Sequence, residues 1–254
     1  MDILDRLNAE FLRQDSGMAR PMETDAYIEH YVNAARNYAR MENSIAVLSD
    51  MHSNRSHICY GEFADILGIG HPQHDEDSID SIWEKGILER IHPTDLHNKY
   101  LHELRFFHFA RHLPREQRQN FYLINKLRMR DSLGYNIPAI HRLFYISAPH
   151  TNSLWLTLCL YNRMIVDLPR PYMVVNSATG QIIESEEQDR IKILSERETE
   201  VLRLIDQGMT SKRIAATLSI SINTVSRHRQ EILNNLHVKN SIEACRIARD
   251  LGLI

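Results

Sequence analysis

The sequence predicts an α+β domain with an antiparallel sheet, followed by a smaller all-α domain of four helices. Apolar residues alternate with a period of two over residues 154–161, which is typical of a strand with one face in a core. After residue 194 apolar residues recur every three or four positions between helix-capping residues. Charge is also uneven: residues 190–254 hold eleven Lys/Arg and seven Asp/Glu, a net +4, whereas the preceding residues carry −7. A basic module on an acidic body suggests that the module meets a polyanion.

Composition excludes several classes of protein. Nine Gly and eight Pro among 254 residues exclude collagen-like and Gly/Pro-rich chains. No apolar stretch approaches the roughly 20 residues of a membrane helix, and the first residues lack the pattern of a secretory signal. Three widely spaced cysteines form no disulfide framework or zinc ribbon, so a cytoplasmic location and no membrane partner are expected. No catalytic motif is present, so we expect no enzymatic activity and no catalytic residues.

The N-terminal elements follow from local patterns of apolar and capping residues. In chain order we predict a helix from Asp25 to Met41 capped by Thr24, strands at Ile45–Leu48 and Ser56–Tyr60, a helix at Glu62–Leu67 ending at Gly68, an acidic loop at His71–Asp80, a helix at Thr94–Leu113, strands at Phe121–Asp131, Ala139–Ala148 and Ser153–Asn162, and a hairpin at Tyr172–Ile183 that turns at Asn176–Gly180. The charged residues 184–193 form a connector.

The C-terminal elements carry clear helix caps. Ser195 and Glu198 form a capping box for a first helix that ends at Gly208. We then predict a helix at Ser211–Leu218, a tight turn at 219–221, a third helix capped by Ser221 and running to Leu236, and a fourth capped by Asn240 and running to Leu251. Two short helices, a tight turn and a further helix make a helix-turn-helix.

The third helix is predicted to have two unlike sides. Its buried side would hold Val225, Ile232, Leu233 and Leu236, and its outer side Asn223, Ser226, Arg227, Gln230 and Asn234. The outer side has donors and acceptors of the kind that read base edges and no acidic residue. Cationic and polar residues flank it where phosphates could lie, namely Lys212, Arg213, His228, Arg229 and Lys239.

This segment resembles the LuxR-type helix-turn-helix domain of bacterial transcription regulators. The resemblance rests on Leu194–Leu202, Gly208, Ile214-Ala215, Ile220-Ser221, Thr224-Val225, His228-Arg229 and Glu243-Ala244. It implies a four-helix DNA-binding domain over residues 194–254, usually dimeric through its last helix. It places base reading on Ser226, Arg227 and Gln230, and backbone contacts on Lys212, Thr224, His228 and Arg229. Asn235 departs from the lysine usual in the family.

The preceding region resembles a PAS sensor domain in its order of elements and in the tetrapeptide His92-Pro93-Thr94-Asp95. The resemblance implies a five-stranded antiparallel sheet with helices on one face over residues 41–185, often with a small-molecule pocket or a dimer surface. Residues 1–40 would be flanking helices and 186–193 a linker. The apolar stripe of the helix at 25–41 either pairs two protomers or packs on the sheet.

A cofactor is not expected, although the histidines leave one alternative open. His108 and His112 are four residues apart on one predicted helix, a spacing that can place two imidazoles on a metal, and PAS domains that bind haem use a helix histidine. Most helical histidines bind no ligand, so no metal or haem site is assigned and the cofactor-binding residues are unknown.

Together these features predict a cytoplasmic bacterial regulator that binds double-stranded DNA at a pseudo-palindromic operator as a homodimer. The PAS-like domain would sense a small molecule or mediate dimerisation, and RNA polymerase is a further candidate partner. The alternative is a constitutive DNA-binding scaffold whose N-terminal domain only binds protein and takes no ligand.

Overall fold

The structure, a computed structural model, describes residues 21–70, 75–149, 151, 153–183, 194–236, 238, 240–250 and 253–254, apart from the side chains of residues 21–24 and 250. The whole of the predicted linker, the first twenty residues and Lys239 lie outside the described residues. The chain divides into two compact units, Met1–Glu184 and Ser185–Ile254, each of which is described by itself. Among the described residues, no helix is both long enough and apolar enough to cross a membrane.

The N-terminal unit alternates helices with the strands of one sheet. In chain order its elements are α1 (Pro21–Glu42), β1 (Ile45–Asp50), β2 (Arg55–Tyr60), α2 (Phe63–Leu67), β3 (Glu76–Ile79), α3 (Lys85–Leu88), α4 (Pro93–His112), α5 (Arg115–Arg118), β4 (Phe121–Arg130), β5 (Asn136–Ser147), β6 (Leu154–Arg163), β7 (Tyr172–Asn176) and β8 (Ile182–Ile183).

The sheet is antiparallel and has eight strands in the order β3-β2-β1-β6-β5-β4-β7-β8. The five strands implied by the PAS resemblance are therefore too few, because β3 and the β7–β8 hairpin extend the two edges. The prediction of a loop over 71–80 was wrong at β3, which pairs with β2 so that Asp77 lies opposite Ile58. Its acidic residues suit an edge strand, where one side of the backbone ladder is unpaired.

Strand β6 is buried on both faces, which corrects the prediction of a single core face. Every residue from Leu154 to Tyr161 is buried. Period-two alternation indicates which side chains share a face, but it does not show what covers the second face. Trp155 also leaves the predicted alternation, since a register shift between Ile146 and Ser147 makes it an extra residue that packs with Leu156.

Helix α1 covers one face of the sheet. Ala35 and Ala39 are buried against Leu48 and Leu160, and Tyr27 stacks on Trp155 with ring centroids 5.3 Å apart. The apolar stripe therefore packs on the sheet, although its predicted member Tyr38 is 36% exposed. The helix begins at Pro21, a favoured first residue, so Thr24 lies inside it and is not its cap.

Helix α4 covers the other face, so the expectation of helices on one face only was wrong. The rings of Phe106 and Phe107 pack against Tyr145. The tetrapeptide that suggested a PAS domain fixes the start of this helix, because Asp95 accepts hydrogen bonds from the backbone N–H and the guanidinium of Arg128 on β4. The hydrogen bonds from Arg128 lower the pKa of Asp95.

The described part of the C-terminal unit contains four helices, in agreement with the predicted all-α domain. They are α6 (Glu196–Asp206), α7 (Ser211–Leu218), α8 (Ile222–Asn235) and α9 (Ser241–Asp250). Their shared core contains Val201, Leu202, Ile214, Val225 and Ile232, all at most 1% exposed.

Candidate nucleic-acid interface and buried polar cluster

Each helix of the C-terminal unit begins at a side-chain cap. Ser195 Oγ accepts the N–H of Glu198, whose Oε2 accepts the N–H of Ser195, and this confirms the predicted capping box. Ser221 Oγ accepts the N–H of Thr224 at 3.0 Å, and Asn240 Oδ1 accepts the N–H of Glu243. These caps fix where α6, α8 and α9 begin.

The turn between α7 and α8 depends on Ser219, which adopts φ 52° and ends α7 in the left-handed region. Ser221, two residues later, is the cap of α8, so only residues 219–221 join the two helices. Their packing orients one side of α8 inward, where Val225, Ile232 and Leu236 are buried. Leu233, predicted on that side, is only half-buried.

The opposite side of α8 is exposed at every predicted position. These residues are Asn223, Ser226, Arg227, Gln230 and Asn234. The Arg227 side chain is 69% exposed, with its Nε 3.5 Å from Glu231 Oε1. Gln230 Nε2 donates to Asn234 Oδ1 at 3.2 Å. The three residues predicted to read bases therefore lie on one accessible polar surface.

The residues predicted to contact the DNA backbone divide into two kinds. Lys212 is exposed, whereas Thr224, His228 and Arg229 are half-buried. The hydroxyls of Thr224 and Ser221 are 2.8 Å apart, and His228 Nδ1 lies 3.2 Å from Glu231 Oε2. These side chains are already held by neighbours, which fixes their positions beside the exposed surface.

Arg229 has a structural role that the sequence did not indicate. Its guanidinium donates to Ser211 Oγ at 2.9 Å and to Ser241 Oγ at 3.0 Å, and so joins the first residues of α7 and α9. Helical spacing alone could not reveal this connection, because the two serines are 18 and 12 residues away in sequence.

A second candidate site lies between α4 and the sheet of the N-terminal unit, where several polar side chains are buried. His102 Nδ1 donates to Asn125 Oδ1 at 2.7 Å, and Asn125 Nδ2 donates to His141 Nδ1 at 3.2 Å. The proton of neutral His141 then lies on Nε2, which is 3.6 Å from Glu103 Oε1. Burial lowers the pKa of both imidazoles, that of His102 to about 4.

An ion pair completes this buried polar cluster. Lys99 Nζ lies 2.7 Å from Glu103 Oε1, and both side chains are at most 3% exposed. Burial opposes the charge of Lys99, but the carboxylates of Glu103 and Glu84 outweigh it and raise the pKa of the ammonium. Burial raises the pKa of Glu103. The Tyr161 hydroxyl donates to Glu84 Oε1 at 2.7 Å.

Sequence reasoning missed this cluster, although the sequence contained a signal for it. Asn125 falls between the apolar Leu123 and Leu127 in the strand alternation, and His141 falls between Ala139 and Leu143. A polar residue in the buried register of a strand indicates a hydrogen-bonded partner inside the core.

A cavity of about 620 Å³ adjoins this cluster. Its walls come from β2, from residues 68–70, and from the segment 79–87 that includes Trp83 and Glu84. The volume falls within the range of small-molecule sites.

Two groups of side chains bring metal-ligating atoms within 4.8 Å of one another among the described residues. One comprises Glu103, His141 and Cys159. It is poorly suited to a metal, because Glu103 is already paired with the Lys99 ammonium and because burial raises the pKa of the Cys159 thiol, which must lose its proton to bind a metal. The other comprises Glu198, His228 and Glu231, of which Glu198 serves the capping box.

Neither group includes the histidine pair considered from the sequence. His108 is fully buried, whereas His112 is exposed and its Nδ1 donates to the backbone carbonyl of His108 at 2.6 Å.

Comparison with known proteins bears on the C-terminal unit. Residues 192–248 match the family model described as bacterial regulatory proteins, luxR family. The C-terminal unit thus contains a LuxR-type helix-turn-helix domain, as the sequence predicted.

Curated relatives share the same part of the chain. The nitrate/nitrite response regulator protein NarP of Escherichia coli is 40% identical over 58 residues, which are 23% of this chain and 27% of NarP. The oxygen regulatory protein NreC of Staphylococcus epidermidis is 40% identical over 70 residues, 28% of this chain and 31% of NreC. The chain thus spans less than a third of the length of these two relatives.

Solved structures similar to the whole chain include a phage VqmA–DPO complex, with 15% identity, a TM-score of 0.32, and coverage of 91% of this chain and 89% of the other. Escherichia coli SdiA gives 16% identity and a TM-score of 0.26, with coverage of 100% and 99%. TM-scores of this size do not establish a common overall fold.

Proposed function

We propose that this chain is a bacterial transcription regulator that binds double-stranded DNA sequence-specifically by placing α8 in the major groove. The observation that carries the proposal is the exposed polar side of α8, held outward by the burial of Val225, Ile232 and Leu236. The major groove admits an α-helix and presents a distinct pattern of donors and acceptors at each base pair. The LuxR-family match over residues 192–248 supports the same placement.

Within this proposal, Ser226, Arg227 and Gln230 read bases. Arg227 and Gln230 are long enough to reach base edges, and their side chains are exposed. Lys212, Thr224, His228 and Arg229 contact the phosphate backbone. For Arg229 this contact is shared with Ser211 and Ser241, so the residue both orders the domain and adds positive charge near the DNA.

The regulator would act as a homodimer on a pseudo-palindromic operator, because two copies of one reading helix match two half-sites. Ile242, on α9, supports a contact between protomers, since its side chain is 84% exposed. In LuxR-type domains the last helix usually forms the contact between protomers. The proposal also includes RNA polymerase as a partner and a location in the cytoplasm.

The N-terminal domain would be a PAS-like sensor whose state controls DNA binding, through dimer geometry or release of the C-terminal domain. The 620 Å³ cavity beside a buried charged cluster supports sensing over the constitutive scaffold. A scaffold needs no cavity of this size, and burying charge costs stability.

The decisive experiment is a map of genomic occupancy, followed by binding titrations on the recovered site over a series of salt concentrations. We expect the protein to bind the recovered site far more tightly than random DNA. The logarithm of its binding constant should fall linearly with the logarithm of the salt concentration. Absence of DNA binding at low salt would overturn the proposal. For sensing, a metabolite that raises the unfolding temperature of the full chain favours the sensor, and a broad set without any hit favours the scaffold.

A further inference from the structure

We propose that the cavity beside β2 binds a small ligand that carries a positive charge, and that the carboxylate of Glu84 pairs with this charge. The inference rests on the proposed sensing function and adds the chemical class of the ligand. It starts from the cavity wall, which includes Ile58, Tyr60, Ile69, Ile79, Trp83 and Glu84. This wall is mostly apolar, with one carboxylate that is almost inaccessible to bulk solvent, since Glu84 is 4% exposed.

The charges around Glu84 do not balance. Lys99 Nζ is paired with Glu103 at 2.7 Å, and the hydrogen bond from Tyr161 to Glu84 carries no charge. His141 accepts a hydrogen bond from Asn125 through Nδ1. Only a neutral imidazole can accept in this way, so His141 adds no positive charge. One ammonium therefore faces two carboxylates. A buried charge without a full partner is costly, so a ligand cation at the cavity wall would be bound strongly there.

The remaining wall suits a cation with an apolar body. Trp83 offers an aromatic ring, which attracts cations, and the three isoleucines offer apolar surface. Asp77 accepts from the Tyr60 hydroxyl at 3.0 Å and adds a further acidic group nearby. Lys85 also lines the cavity, but its side chain is 85% exposed and its ammonium lies 3.6 Å from Glu89, so it does not neutralise Glu84.

The test uses three probes of similar size and different charge on the full chain. They are 2-phenylethylammonium, 2-phenylethanol and 3-phenylpropionate, each titrated by calorimetry. We expect the ammonium probe to bind most tightly. Glu84→Gln keeps an oxygen for the Tyr161 hydroxyl but removes the charge, and should weaken the ammonium probe about tenfold or more while leaving the alcohol nearly unchanged.

Glu116→Gln is the matched control, because it makes the same charge change at an exposed residue of α5 that is not part of the cavity wall. It should leave all three affinities unchanged, and unchanged unfolding temperatures would show that both variants fold. If the alcohol or the carboxylate binds best, or if Glu84→Gln has no effect on the ammonium, the cationic class is wrong while sensing stands. If no probe binds at millimolar concentration, a proton and not a ligand balances the cluster, and the inference fails without affecting the DNA-binding proposal.

Discussion

The side-chain amide of Asn235 donates a hydrogen bond to the carboxylate of Glu198, with Nδ2 and Oε1 3.3 Å apart. This contact links α8 to α6, and the other oxygen of Glu198 closes the capping box with Ser195 at 2.6 Å. In LuxR-type domains position 235 usually holds lysine. Here a neutral amide therefore lies beside the carboxylate of Glu198, a residue that is only 6% exposed.

Asn235→Lys should stabilise the C-terminal unit. An ammonium within reach of Glu198 replaces a weak hydrogen bond by a partly buried ion pair, worth about 0.5–1 kcal/mol. The measurement is hydrogen exchange of the α6 and α8 amides in the full chain, which should slow. Thr217→Lys, on an exposed position of α7, controls for the added charge and for the helix propensity of lysine. Equal slowing in the two variants would show that Glu198 is not involved.

Arg227→Ala should relax base preference. If Arg227 reads a base edge, its loss costs about 1–3 kcal/mol on the specific site and little on random DNA. Lys212→Ala is the matched comparison, because a phosphate contact contributes equally to every sequence and its loss flattens the salt dependence. Titrations of both variants against specific and random duplexes distinguish the two roles. Identical behaviour would mean that the base-reading side of α8 has been assigned wrongly.

Arg229→Ala should reduce both stability and DNA affinity. Loss of the hydrogen bonds to Ser211 and Ser241 is expected to cost about 1–3 kcal/mol, which hydrogen exchange of α7 and α9 would report. The double variant Ser211→Ala/Ser241→Ala removes the same bonds and keeps the guanidinium. If DNA affinity falls in Arg229→Ala but not in the double variant, Arg229 contacts phosphate directly. Equal losses of affinity would assign the whole effect to order within the domain.

The C-terminal unit could be predicted in detail because its signals are local. A cap such as Ser195 or Ser221 acts within three residues, and the buried side of α8 follows from helical spacing. What spacing could not supply was any contact between distant residues, such as Arg229 with Ser211 or Asn235 with Glu198.

The N-terminal unit was predicted less completely for the same physical reason. Strand alternation located β4, β5 and β6, but the cover on each face depends on α1 and α4, which are distant in sequence. The edge strand β3 was missed because its sequence is acidic and because, among the described residues, it pairs with β2 alone. The buried ion pair of Lys99 and Glu103 resembles an ordinary surface pair of an exposed helix until the tertiary packing is known.

Lys99→Met should destabilise the N-terminal unit strongly. It leaves the Glu103 carboxylate buried without its ammonium, a loss of about 3–5 kcal/mol. Lys99→Met/Glu103→Leu removes both charges and should be more stable than the single variant. Both tryptophans, Trp83 and Trp155, lie in this unit, so fluorescence-detected urea unfolding reports on it alone. A double variant no more stable than Lys99→Met would show that the pair is not coupled.

The N-terminal unit should lose stability as the pH falls from about 6.5 towards 4. Burial lowers the pKa of His102 from 6.5 to about 4, helped by the charge of Arg105 and opposed by the hydrogen bond to Asn125. Between these two pH values His102 is protonated in the unfolded chain but neutral in the folded one. Acid therefore favours unfolding and lowers the free energy of unfolding by up to roughly 3 kcal/mol. His102→Gln, whose amide can still donate to Asn125, should reduce this dependence in tryptophan-detected unfolding, while His141, whose pKa burial also lowers, keeps part of it. His112→Gln, at an exposed position of the same helix, should retain the wild-type slope, and an unchanged slope in His102→Gln would show that another group binds the proton.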